Sequence, residues 1–138
     1  MKQISVFLEN RPGSLYEVLY KLKEWGVNLR ALSLADTAEF GVLRFIVENP
    51  GEIVEKLKKE NFAATLTEVL AVGVEDRPGG LAEVVGILTH QNISIEYLYA
   101  FVSPQEGKAY VVLRVEDLEE AERVLRENHI PILEEIAI

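Results

Sequence analysis

The 138 residues are 49% apolar, enough for a packed core, and carry 14 lysines and arginines against 23 aspartates and glutamates, a formal net charge of -9. That balance argues against nucleic acid or anionic membrane as a partner, because both need clustered positive charge. The absence of cysteine excludes disulfides, thiol catalysis and thiolate metal sites, and with neither a signal-peptide core in residues 1–6 nor a spanning apolar run, the expected location is the cytoplasm.

Residues 2–8 alternate, with Ile4, Val6 and Leu8 on one face, and predict a first strand. Glu9-Asn10-Arg11-Pro12-Gly13-Ser14-Leu15 then turns into a helix over 13–25. Its Leu15, Val18, Leu19 and Leu22 recur at i, i+3, i+4 and i+7, an amphipathic stripe. In the turn, Asn10 is placed to accept a hydrogen bond from a free N–H of the first helical turn. Pro12 has its φ fixed near the helical value where its missing N–H costs nothing. Gly13 lets another chain or a small ligand come close to the backbone. A helix N-terminus with Arg11 beside it is a place for a carboxylate, although a well-made helix cap alone would use the same residues. Gly26 suits the left-handed residue that ends a helix. Residues 27–35 predict a second strand, 36–39 a polar connection and 40–48 a third strand. Asn49-Pro50-Gly51-Glu52 opens a second helix with Ile53 and Leu57 inward, and 64–69 predict a last strand.

The pattern then repeats. Glu75-Asp76-Arg77-Pro78-Gly79-Gly80-Leu81 follows the first turn at an offset of 66, with Leu81, Val84, Val85 and Leu88 as its helix stripe and Asn92 in place of Gly26. Near the ends, Glu60-Asn61 aligns with Glu127-Asn128 at an offset of 67. The second half reads as strand 70–75, helix 79–91, strand 93–102, a turn at Ser103-Pro104-Gln105-Glu106-Gly107, strand 108–115, helix 117–128 and strand 131–137. The chain is a tandem duplication, 1–69 and 70–138, with almost no linker. Each half has the order βαββαβ, so the fold class is α+β: two ferredoxin-like units whose antiparallel sheets carry their helices on one face. The second strand of each half is apolar on both faces (Leu32 and Leu34; Tyr97, Tyr99 and Phe101). The uncovered face or edge of each sheet is therefore expected to meet the other half or a second copy. A homodimer is the expected assembly.

No catalytic constellation stands out. His90 and His129 sit singly near helix ends, as surface histidines rather than metal ligands. No nucleophile elbow or Ser–His–Asp pattern appears. The glutamates of 52–60 and 116–127 lie among lysines and arginines at i,i+4 spacing, as solvated helix faces. Arg11-Pro12-Gly13-Ser14 is too short for a phosphate loop. Neither a metal nor a cofactor is expected.

A βαββαβ unit whose first turn reads Asn/Asp-Arg-Pro-Gly-x-Leu, followed by an amphipathic helix and Gly26-Val27-Asn28-Leu29 or Asn92-Ile93-Ser94-Ile95, resembles an ACT domain. The resemblance covers both halves. ACT domains are typically regulatory modules that bind amino acids or similar small ligands, usually fused to biosynthetic enzymes. The resemblance implies a non-catalytic ligand sensor with its pocket at a domain interface, built from the first turn, the helix start and the neighbouring second strand. Carried over by position, the site is Asn10, Arg11, Pro12, Gly13, Ser14, Leu15 and Asn28, with Asp76, Arg77, Pro78, Gly79, Gly80, Leu81 and Ser94 as the second set. The turn N–H groups would hold the ligand's carboxylate. Two alternatives stay open: a regulatory subunit docking on a biosynthetic enzyme, like the acetolactate synthase small subunit, and a small acylphosphatase-like enzyme. Because Gly79-Gly80 offers two positions without a side chain, the second turn is expected to bind more readily than the first.

Overall fold

The computed structural model describes residues 1–37, 39–101 and 107–134. Its first six elements are β1 (Lys2–Glu9), α1 (Ser14–Glu24), β2 (Ala31–Asp36), β3 (Phe40–Ile46), α2 (Pro50–Lys59) and β4 (Ala63–Glu68). The next six are β5 (Leu70–Glu75), α3 (Gly80–His90), β6 (Ile95–Phe101), β7 (Lys108–Val115), α4 (Leu118–Glu127) and β8 (Ile132–Leu133). Each set of six forms its own four-stranded sheet, ordered β2-β3-β1-β4 and β6-β7-β5-β8. This is the ferredoxin-like α+β architecture, made twice. The contacts divide the chain into Lys2–Thr67 and a second compact unit of Glu68–Ile138 with Met1. The predicted turn residues 103–106 and the end of the last strand, 135–137, lie outside the described residues.

In the first unit Ile4, Val6 and Leu8 of β1 pack with Val18 and Leu22 of α1, Leu43 and Phe45 of β3, and Val54 and Leu57 of α2. In the second, Val72 and Val74 pack with Val84, Leu88, Leu113 and Leu125. Each such side chain contributes about 1.5–3 kcal/mol by leaving water, so the apolar stripes, more than intrinsic propensity, hold the helices in place.

All four helices stop by the same device. Gly26 (φ 68), Asn61 (φ 67), Asn92 (φ 56) and His129 (φ 59) are left-handed. The next residue's N–H reaches back to the last inward leucine: Val27 to Leu22, Phe62 to Leu57, Ile93 to Leu88 and Ile130 to Leu125, at 2.9–3.0 Å. These are Schellman ends with an apolar residue in the outer position. They correct two expectations. The second strand begins at Ala31, because Val27 is held by the helix end and Val27 and Leu29 tuck against the core from the connection. The residue equivalent to Asn61 is His129, not Asn128, so the offset grows from 66 to 68. The register places the growth between β6 and β7, since Leu32 faces Phe45 and Leu98 faces Leu113.

Antiparallel pairing decides what lies beside the turn. β1 runs toward it, β3 starts there and β2 ends there, so Leu8 faces Gly41 and Gly41 faces Asp36. That end of the sheet, where α1 begins, is the only place the first turn can meet β2 within its own unit.

Candidate ligand site at the Arg-Pro-Gly turns

The two turns share one backbone. Arg11 N–H donates to Glu9 O and Arg77 N–H to Glu75 O, both at 2.9 Å. Gly13 (φ 92) and Gly79 (φ 87) are left-handed and are themselves the N-cap residues. Their carbonyls accept from Glu17 and Glu83, at 2.9 and 3.0 Å. The expected caps therefore need correction. Neither Asn10 nor Asp76 caps a helix, and neither Pro12 nor Pro78 occupies the first helical position, because the glycine stands between proline and helix. Asn10 instead donates Nδ2 to Thr37 O at 3.5 Å. The proline-led start does occur, at Pro50 of α2. Among the described residues no carbonyl accepts from the N–H of Gly13, Leu15 or Tyr16, so the head of α1 presents free donors.

The arginines are committed elsewhere. Arg11 Nε lies 2.9 Å from Glu9, and its Nη1 and Nη2 lie 3.2 and 3.1 Å from Glu17. Arg77 Nη2 lies 2.6 Å from Glu83. Glu17, then Glu9, hold the Arg11 guanidinium above its ordinary pKa, and Glu83 does the same for Arg77. Each arginine thus straps its turn to the first turn of its helix. Attraction for an anion is left to the helix N–H groups and dipole.

A cavity of about 410 Å³ opens at the first turn, within the range of small-molecule sites. Its walls are Leu8, Glu9, Asn10, Arg11, Pro12, Ser14 and Leu15 from the turn side, and Leu34, Ala35, Asp36 and Gly41 from β2 and β3. Asp36 has no cationic partner among the described residues. A Cβ on Gly41 would touch Leu34 Cδ1 at 3.6 Å and Asn10 Oδ1 at 4.0 Å, so glycine there keeps one wall of the cavity back. Ser14 is only 6% exposed, and its Oγ is buried without a hydrogen-bond partner among the described residues.

Gly80, the counterpart of Ser14, does not offer the open face expected of it. It is buried, and a Cβ built on it would lie 2.0 Å from Glu75 O. Gly80 N–H reaches Arg77 O at 3.0 Å, where Ser14 N–H stays 3.4 Å from Arg11 O, so the second turn is wound more tightly. Lys108 Nζ holds Glu75 at 2.6 Å, and this keeps the Glu75 carboxyl below its ordinary pKa. In the first unit Phe40 faces Glu9 at that register position and stacks edge-on against Phe7 instead.

Asn28 and Ser94 are exposed and precede their strands. Within its own unit Asn28 lies beyond Ala31, and β2 alone separates Ala31 from Asp36 by roughly 17 Å. Ser94 lines a different, acidic cavity of about 620 Å³ with Asn92, Glu116, Asp117 and Glu120. Of the residues lining the cavity, the sequence-derived set lacks Leu8 and Glu9 at the end of β1, Leu34, Ala35 and Asp36 at the end of β2, and Gly41 at the start of β3. Following the antiparallel direction of β1, β3 and β2 would have found them.

Two duplicated βαββαβ units, each turning from its first strand into its first helix at an Arg-Pro-Gly turn, make a paired ferredoxin-like protein. The chain belongs to the ACT domain pair family, whose model matches residues 1–138. Protein BT0572 from Bacteroides thetaiotaomicron is similar at 39% identity, over 96% of this chain and 90% of that one, with a TM-score of 0.88. The regulatory subunit of aspartate kinase from Thermus thermophilus shares the fold at 19% identity, 91% of each chain and a TM-score of 0.65. Its counterpart from Thermus flavus does so at 19% identity, over 93% and 90%, also at 0.65. No curated protein matches the sequence.

Proposed function

We propose that this ACT domain pair, assigned to residues 1–69 and 70–138, is a non-catalytic regulatory module that binds an amino acid or a similar small zwitterion. The observation that carries the reading is the cavity at the head of α1. Leu15, whose N–H is free, lines one side of it, and Asp36, with no cationic partner among the described residues, lines another. A carboxylate suits the first and an ammonium the second. Leu8, Leu15 and Leu34 leave apolar wall for a side chain. Calorimetry and thermal shift of the full chain against the twenty amino acids test it. A ligand at one hundred times its Kd stabilises by about 2.7 kcal/mol, an easily read shift. If none of the twenty gives heat or a shift, the reading is wrong.

The module is further proposed to act as a homodimer. Leu32 and Leu34 on the edge strand β2 are 49% and 53% exposed, the kind of apolar edge that a second copy covers. Sedimentation equilibrium at micromolar concentration giving a single 15.5 kDa species would exclude it. A biosynthetic enzyme as the regulated partner belongs to the same proposal, and capture of one by the liganded but not the free protein is its test.

A further inference from the structure

The two halves are duplicates in fold but not at the position just after the capping glycine. Ser14 brings a hydroxyl into the wall of the first cavity, and that hydroxyl is buried with no hydrogen-bond partner among the described residues. A buried polar atom left unpaired is costly and uncommon, and it points to a partner the chain does not supply. One rotamer step is enough to swing a serine Oγ from one staggered well to another. In the second half the same place is a glycine, and the space its side chain would take is already filled by the Glu75 carbonyl. Two neighbouring differences run the same way. Lys108 holds Glu75 where the first half has Phe40, so the carbonyl that fills the second turn belongs to a residue anchored in place. By sequence, Asp36 corresponds at the 66-residue offset to Val102, which carries no charge.

We propose that the halves have divided the work. A ligand carrying both a carboxylate and an ammonium group is taken at the first turn only, one per chain, with the Ser14 hydroxyl among its donors and Asp36 as its counter-ion. The second turn is a packed joint that holds α3 against β5. This rests on the ligand-binding reading above and narrows it to one site, one stoichiometry and one chemical class.

The test is calorimetry of the full chain with each of the twenty amino acids, and with the N-acetyl form of any that binds. The expected result is one ligand per chain and no measurable binding of the N-acetyl form, which lacks the ammonium. Ser14→Ala, which keeps the Cβ and removes only the hydroxyl, should weaken binding roughly two- to tenfold, the loss of one hydrogen bond. Asp36→Asn should weaken it at least as much, and Asp76→Asn at the second turn should leave it within twofold. Circular dichroism confirms that each variant is folded. Two ligands per chain would overturn the inference, as would full affinity in Ser14→Ala or dependence on Asp76, while ligand binding itself would stand. No heat from the wild type with any of the twenty would end both.

Discussion

Gly80→Ala is the sharpest probe of the close approach at the second turn. The added Cβ would sit 2.0 Å from Glu75 O and 3.0 Å from Glu75 C, where ordinary contact begins near 3.4 Å. The shortfall is more than an ångström, and it is against backbone, so no rotamer change relieves it. Overpacking of this kind costs about 1–3 kcal/mol when side chains can share the strain. Here the upper end, about 3 kcal/mol, is expected. Unfolding entropy near 2.1 cal/mol/K per residue makes that a fall in Tm of about 10 °C if the chain melts as one, and about twice that if the second unit melts alone. Gly86→Ala is the control, because it lies in the same helix with nothing within 4 Å of a built Cβ. It should stabilise by about 1 kcal/mol through helix propensity. Both are read by thermal melts followed by circular dichroism. If Gly80→Ala melts within 2 °C of the wild type (a span of roughly half a kcal/mol for the whole chain), the turn is not filled and the reasoning about the second half fails.

Three further outcomes follow from local geometry. Asp117 caps α4 by accepting from Glu120 N–H at 3.1 Å, so Asp117→Ala should cost about 1 kcal/mol in a denaturant melt while Asp117→Asn costs much less. Gly13→Ala forces a side chain into a φ of 92°, and a loss of about 1–2 kcal/mol should appear even without ligand; an unchanged midpoint would contradict that backbone. Lys108→Met should raise the Glu75 pKa toward its ordinary value, read by carboxyl NMR titration. Because the folded value is the depressed one, the pair's small stabilisation is present above the ordinary carboxylate range and fades as pH falls through the folded pKa. The acid-side melting curve of the mutant should accordingly be flatter than that of the wild type.

The fold was legible because its signals are local and came twice. The inward stripe of α1, the strand alternation around Ile4, Val6 and Leu8, and the left-handed Gly26 and Asn92 are each read within a few residues. A repeat at fixed offset then turns two weak assignments into one strong one. The site was legible only where it is local, at the turn itself. Its other wall comes from residues some 20 to 30 positions away, and which end of β2 faces the turn depends on strand direction rather than on residue type. Asn28 and Ser94 precede their strands, at the end away from the turn of their own unit, and Asp36 reads from sequence only as part of a polar connection. The capping role given to Asn10 and Asp76 failed because the left-handed glycine, not the acidic or amide residue, stands at the helix start.

Duplication makes Gly79-Gly80 hard to rank against Gly13-Ser14 from sequence. From sequence, a second glycine looks like added room for a ligand. In the fold, its Cα faces the end of the preceding strand, and the absence of a Cβ is what lets the Glu75 carbonyl approach. The first half solves the same junction the other way. Its turn is looser, with Ser14 N–H 3.4 Å from Arg11 O rather than 3.0 Å, and the slack admits a side chain. Putting a serine at 80 should therefore not recreate the first site. Gly80→Ser should destabilise at least as much as Gly80→Ala, because the hydroxyl adds bulk to a Cβ that already has no room. Ser14→Gly should fold and lose only the hydroxyl's contribution to binding, plus about half a kcal/mol of helix stability. A Gly80→Ser protein that melts like the wild type and binds a second ligand would show that the halves differ by one replaceable residue, and not by how tightly each turn is wound.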